Sequence, residues 1–438
     1  MDGQRFSIAG ASYDAQDPRL QEALARVHDG ADRPRCLCVP DGVEMYVARH
    51  RLYVVKRMPG TGGQHHPQCP SYEPDAQQSG LGELMGEAIV ETAPGSVELR
   101  VDFPWVRMAG RGVAPGEPHD PGEVVAPRRR MSLRALTHFL FERAGFNRWS
   151  PAMAGKRSQG VLCKHLLEAA AEMTVKGQPL AQRLYVPEPF SEASKAAAAQ
   201  RRRDKLAILR PHDGQSPLAV VLGEFKTCES TAFGRRVWIK HMPDVPLLIA
   251  DKTWERTRRM YAAYFEVQDA GAGYRPRLVM TALIRAKREH VYEVDALGLM
   301  LTSEHWIPVE GAHEIELIHA LVTQQRRFIK PLRYDARSTA SFPNALLIDA
   351  GPEPVALHVV SAFAEEKERA AKIEALSRLG PAAWVWWTDQ AMPALPAALT
   401  GASDWRGQVL GRAERASGAR APAEAGNLQA DAGNANGT

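Results

Sequence analysis

The chain has 438 residues, 45% of them apolar, which is enough for two to four domains with real cores. Its formal charge of +4 is too mild to require or to exclude a nucleic-acid partner. Five cysteines at this length exclude a disulfide scaffold, and the lack of any apolar run of about 18 residues excludes a helical membrane span.

Met1-Asp2-Gly3-Gln4-Arg5 has no apolar core of a signal peptide, so the expected setting is a reducing cytoplasm. There, clustered thiols are metal ligands more often than bridges. Asp17-Pro18 predicts the start of a short helix with Leu20, Leu24 and Val27 on one face, ended by Gly30. Cys36-Leu37-Cys38 follows. Met45–Val47 and Leu52–Val55, joined by Ala48–Arg51, predict a β-hairpin that returns the chain to His65-His66-Pro67-Gln68-Cys69. Positions i and i+2 of an extended segment or knuckle face one way, so Cys36 and Cys38 can reach one ion. Cys69 supplies a third thiolate, and either His65 or His66 the fourth ligand. A closed Cys₃His set is the donor chemistry of structural zinc, with no open position for substrate. The segment reads as too short for a core of its own, so the metal is expected to supply folding energy. Cys163 and Cys228 have no such neighbours and read as packing thiols.

Ser96–Phe103 alternates as a strand, and residues 104–130, rich in proline and glycine, read as a linker. Ser132 and Ser158 then cap two predicted helices, with Leu133, Leu136, Phe139 and Leu140 on the first and Val161, Leu162, His165, Leu166 and Ala169 on the second. Between Arg128 and Lys164 lie nine basic residues (Arg128, Arg129, Arg130, Arg134, Arg143, Arg148, Lys156, Arg157, Lys164) against the single acid Glu142. That is the footprint of a phosphate-binding module or of a solvated face, and a loose helix-turn-helix would present Lys156 and Arg157. DNA or RNA is the expected partner, with no membrane role.

The alanine run Lys195–Gln200 favours helix. From 216 the pattern is α/β. Strands are expected over Leu218–Lys226, Arg277–Ile284 and Val291–Leu301, and helices over Thr253–Val267 and Glu314–Phe328. Strands Ala345–Asp349 and Val355–Val360, helix Glu365–Leu379 and strand Trp384–Thr388 complete it. Gly223-Glu224-Phe225-Lys226 is an E-x-K at a strand end with Asp213 eleven residues before it. Asp213, Glu224 and Lys226 are therefore a candidate Mg²⁺-dependent nuclease site, or simply a strand-end ion pair.

Residues 314–388, read as helix, strand hairpin, helix, strand, resemble the core of PD-(D/E)XK nucleases. That resemblance implies Mg²⁺-binding carboxylates at Asn344 and His358 and a lysine at Val360. All three are replaced, and Asp349 is the only carboxylate in the two strands, which implies binding without cutting.

Further stretches carry a second resemblance. They are Cys36-Leu37-Cys38, Lys56–Gly62 running into His66–Pro74, Asn147–Pro151, Leu184–Glu188, Gly223–Lys226 and Lys330–Tyr334. Together they resemble an uncharacterised bacterial domain-of-unknown-function family with three amino-terminal cysteines, found largely on plasmids and integrative conjugative elements. The family pattern has Asp after Pro343 and Glu at His358, and this chain departs at both. The resemblance implies a mobile-element context and no assigned activity.

The expected fold class is multidomain α/β. A zinc-binding domain spans 1–103 and the linker 104–130. A basic helical segment follows over 131–210 and an α/β domain over 211–310. A degenerate restriction-endonuclease-like domain spans 311–400, and a disordered tail 408–438. The expected function is zinc-stabilised nucleic-acid binding in a mobile element. The alternatives are a nuclease using Asp213, Glu224 and Lys226, and an adaptor whose zinc module docks a protein.

Overall fold

The computed structural model describes residues 4–49, 52–108, 129–270, 273–379 and 383–399. Arg128, most of the expected linker and the expected tail lie outside them. The described residues form a mixed α/β structure in two units, one ending at Val55 and one beginning at Lys56.

In the first unit β1 (Arg5–Ile8), β2 (Ala11–Asp14), β3 (Arg35–Cys36), β4 (Val43–Arg49) and β5 (Tyr53–Arg57) form a sheet in the order β2-β1-β3-β4-β5. Helix α1 spans Leu20–Val27 and buries Leu20, Ala23, Leu24 and Val27. It starts two residues later than the Asp17-Pro18 cap predicts. The Asp17 carboxylate accepts from the Arg19 N–H at 2.9 Å and pairs with the Arg19 guanidinium, closing a local turn before the helix begins. With Phe6, Ile8, Val43 and Met45 also buried, this region has a small core of its own, which corrects the expectation of a coreless hairpin. Sheet pairing between segments some thirty residues apart is what the local pattern did not show.

In the second unit the strands are β6 (Ile89–Ala93), β7 (Ser96–Leu99), β8 (Val106–Met108), β9 (Arg148–Trp149), β10 (Met173–Val175), β11 (Gln178–Pro179), β12 (Leu184–Tyr185), β13 (Gln215–Thr231), β14 (Gly234–Ile239), β15 (Leu247–Ile249), β16 (Arg277–Arg288), β17 (Val291–Thr302), β18 (Pro308–Val309), β19 (Phe328–Ile329), β20 (Ala345–Leu347), β21 (Val355–Val360) and β22 (Trp384–Trp387). The helices are α2 (Leu133–Arg143), α3 (Gln159–Ala171), α4 (Leu180–Arg183), α5 (Lys195–Leu206), α6 (Asp251–Met260), α7 (Ala262–Asp269), α8 (Ala312–Thr323) and α9 (Glu366–Ser377).

Ser132 and Ser158 cap α2 and α3 through their hydroxyls, at 3.2 and 3.4 Å from the Ala135 and Val161 N–H groups. These two helices are not a helix-turn-helix. The chain between them forms β9, which pairs antiparallel with β19, Trp149 opposite Phe328. The expected 253–267 helix breaks at Tyr261 into α6 and α7.

The larger difference lies in the expected α/β domain. β13 pairs antiparallel with β16 along its first half and with β14 along its second, with a register shift between Phe225 and Thr227. β14 pairs with β15, β15 runs parallel to β17, and β17 returns antiparallel to β16. Five strands therefore close into a ring, β13-β14-β15-β17-β16-β13, and α6 and α7 lie between β15 and β16 in sequence. One apolar core holds Val221, Val237, Ile239, Leu247, Met280 and Leu299 of the ring with Trp254 and Phe265 of the two helices.

The C-terminal sheet has the order β22-β21-β20-β19-β9. β19, β20 and β21 are antiparallel neighbours, and β21 is parallel to β22 across α9.

Candidate metal centre

Cys36 ends β3, and the chain then turns through Cys38, so a knuckle and not a strand presents the first pair of thiols. The second pair sits on a loop with its own bracing. The Glu73 N–H donates to Gly62 O at 3.2 Å, and the Arg57 guanidinium pairs with the Glu73 carboxylate. A Cβ on Gly62 would lie 2.6 Å from Glu73 Cβ, so this close approach requires glycine. The turn from Gly62 to Gln64 leads directly into His65. Cys69 N–H donates to His66 O at 2.7 Å, and Tyr72 N–H to Cys69 O at 3.0 Å. The Arg148 guanidinium donates to Pro70 O and Tyr72 O and clamps the loop from outside.

Cys36, Cys38, His65 and Cys69 are all buried, and their ligand atoms lie within 4.8 Å of one another. His65 Nδ1 is 3.8 Å from Cys69 Sγ. The edges of a tetrahedron built on ordinary zinc–sulfur and zinc–nitrogen bonds are about 3.5–3.8 Å. Cys36, Cys38, His65 and Cys69 can thus hold a metal ion such as zinc. His66 is not in the cluster: its Nδ1 accepts the Gln68 N–H at 3.2 Å. Side-chain and backbone N–H groups point at the sulfurs, among them Gln4 Nε2 toward Cys36 at 3.9 Å and Ser71 N toward Cys69 at 3.4 Å. Such donors offset thiolate charge. Sequence reading missed both, because neither residue carries a local signal for that role.

The other candidate residues fall apart as sites. Glu224 is buried and held by Lys240 and by Arg277 at 3.0 Å. Lys226 is exposed on the same strand. Asp213 is exposed in the left-handed turn before β13. The ten residues of continuous strand from Gln215 to Glu224, nine steps of about 3.3 Å, put about 30 Å of chain between the two carboxylates. Asp213, Glu224 and Lys226 therefore do not converge, because the eleven-residue spacing is filled by strand and not by a return.

Among the basic residues, Arg157 donates to Phe146 O and His305 O at 3.1 Å and to Gly145 O at 3.2 Å, with its guanidinium over the Phe146 and Trp149 rings. Burial lowers its pKa to about 10. Arg134 pairs with Glu310 at 3.3 Å, Arg143 with Glu91 and Glu172, Arg129 with Glu83, and Lys164 with Glu168. Arg130 and Lys156 are exposed and have no ion pair among the described residues.

In the C-terminal sheet, Asn344 donates from Nδ2 to Glu314 Oε1 at 2.6 Å and accepts the Val359 N–H at 2.8 Å. Glu314 also pairs with Lys330 at 3.2 Å. Asp349 is held by Arg326 at 2.8 Å. Lys372 donates to Phe342 O at 2.7 Å. His358 is 1% exposed, and neither ring nitrogen has a partner among the described residues. Burial, followed by the Lys372 charge, lowers its pKa to about 4.

Fold and site define a mixed α/β protein with a thiolate-rich cluster fit for metal. A family model described as "Protein of unknown function (DUF1173)" matches residues 6–389, and the chain belongs to that family. Neither a curated protein nor a solved structure matches the chain. No helix among the described residues is long and apolar enough to cross a membrane.

Proposed function

We propose that this protein binds nucleic acid without cutting it, in the cytoplasm, and that a structural zinc ion on Cys36, Cys38, His65 and Cys69 holds its N-terminal region. Three thiolates and one imidazole fill a tetrahedral shell, so the ion has no position left for water or substrate. The observation that carries the binding role is the C-terminal helix–three strands–helix–strand order, which supports the nuclease-like reading of residues 311–400. At the positions where such a core needs two anionic oxygens for Mg²⁺, this chain has Asn344 and His358. The nearby Glu314 is already neutralised by Lys330. Retained fold with replaced ligands fits capture of nucleic acid and not its hydrolysis. A role in maintaining or transferring a mobile element, a plasmid or an integrative conjugative element, is part of the same proposal.

The test is elemental analysis with anisotropy binding. About one zinc per chain is expected, falling below about 0.2 in Cys36→Ser and Cys69→Ser and unchanged in His66→Ala. Labelled oligonucleotides should bind with an affinity that falls steeply with salt, through counterion release. Plasmid nicking with Mg²⁺, or no oligonucleotide binding at low salt, would overturn the reading.

A further inference from the structure

The five-stranded ring carries an inference that rests on the nucleic-acid reading and gives it a surface. Numbered from β13, the strands pair in the order 1-2-3-5-4-1, with strand 3 parallel to strand 5 and helices between strands 3 and 4. This is the strand order of the OB barrel, whose strand 2–3 face and flanking loops hold oligonucleotides or oligosaccharides. Strand order alone assigns no ligand. The side chains on that face do.

On β14, Val237 and Ile239 turn inward to the core, and Arg236 and Trp238 alternate outward. Trp238 is half-buried, and its indole N–H has no partner among the described residues. Arg236 lies opposite Glu229 on β13 and Leu248 on β15, and it has no ion pair among the described residues. The hairpin between β13 and β14, the barrel's first loop, carries Phe233 at its tip, fully exposed. At the other flanking loop, the turn between β16 and β17, the last two residues of β16, Lys287 and Arg288, are exposed. A fully exposed phenylalanine at a hairpin tip offers a flat apolar ring to a partner. Here cations accompany it: Arg236, Lys226, Lys287 and Arg288 lack ion pairs among the described residues. A partner that is anionic and has flat apolar surfaces matches both features. An oligosaccharide would lack the charge.

We propose that the outer face of β14 and β15, with the Phe233 hairpin at its edge, binds single-stranded nucleic acid. Trp238 and Phe233 stack on bases, and Arg236 and its neighbouring lysines meet the phosphates. The bases must be unpaired, because only then are their faces open to the two rings.

Anisotropy of a labelled thymidine 20-mer, and of its duplex, tests this with the full-length, zinc-loaded protein. The 20-mer should bind more tightly than the duplex. Phe233→Ala should weaken it about ten-fold, and Arg236→Ala should reduce the salt slope by about 0.7. Both positions are exposed, and circular dichroism checks that the variants fold. The control is Arg256→Glu with Arg259→Glu on α6. That helix packs on the opposite side of β13 and β14, with Trp254 against Phe225 at 5.8 Å. This double variant should bind within about two-fold of the native chain. Native binding with unchanged Phe233→Ala and Arg236→Ala affinities would overturn the surface and leave the nucleic-acid reading standing. Equal weakening by the α6 control would reduce the face to unspecific charge and overturn it too. A dimer that Phe233→Ala converts to monomer, at unchanged oligonucleotide affinity, would assign the face to self-association instead. If the native chain binds neither oligonucleotide at low salt, the nucleic-acid reading itself fails.

Discussion

The basic segment from Arg129 to Lys164 and the outer face of β14 are both rich in positive charge, and the fold uses them in opposite ways. In the first, the guanidinium groups are fasteners. Arg148 clamps the Cys69 loop, and Arg157 gathers four carbonyls, those of Gly145, Phe146, Arg148 and His305. The planar five-donor fork suits that work, and a lysine would not replace it. In the second, Arg236 projects from a strand whose other side is core, and the fold gives it no partner among the described residues. A run of basic residues in sequence therefore does not equal a basic surface. What separates the two is whether carbonyls and carboxylates from distant segments converge on the charge.

The largest test of that contrast is Arg157→Ala. It strips hydrogen bonds from several buried carbonyls at once and should cost about 3 kcal/mol, read from the urea midpoint. Arg157→Lys should recover little of it. If Arg157→Ala were as stable as the native chain but lost oligonucleotide affinity, the two regions would trade roles and the comparison would break.

His358 sharpens the contrast with a polar group that is buried and has no hydrogen-bond partner among the described residues. Its folded pKa of about 4 lies below the ordinary 6.5, so folding favours the neutral ring. The associated stability is complete above about pH 6.5 and is lost as pH falls from there toward 4, at about 1.4 kcal/mol per unit. His138, held neutral by burial with a pKa of about 3, adds to the same slope. His358→Leu should lower the proton uptake on unfolding at pH 5 by about one, measured from stability against pH. An unchanged slope would mean that the ring is charged in the native state. The smallest effect is expected from Lys156→Glu, which should leave stability and oligonucleotide affinity within about two-fold of native, since the fold gives this exposed charge nothing to hold.

Local signals were legible in the sequence wherever the physics is local. The serine caps and apolar stripes located α2 and α3, and the cysteines and histidines located the cluster that can hold a metal, leaving only the choice of His65 over His66 to the fold. The barrel was not legible. Leu218–Lys226 reads as one ordinary strand, and nothing in its pattern says that the chain continues to Thr231 or changes partner at the Phe225 irregularity. Strand order is set by contacts between distant segments, which periodicity does not encode. The direction of the arginines was hidden for the same reason. The Phe233-Gly234 pair between two alternating runs did carry a hairpin signal, and its exposed ring marked a surface that charge counting overlooked.

The long β13 has a consequence for how this chain is made. Its first half waits for β16, which leaves the ribosome only after about sixty more residues have been added. At typical elongation rates that leaves an apolar strand edge open for several seconds. The β14 hairpin, which forms at once beside its second half, does not cover that edge. The nascent chain is therefore most exposed to wrong pairing at the element that later holds the barrel closed, and among the described residues two strands already synthesised pair with it, β8 at Gln215–Pro217 and the parallel β12 at Val220 and Val221.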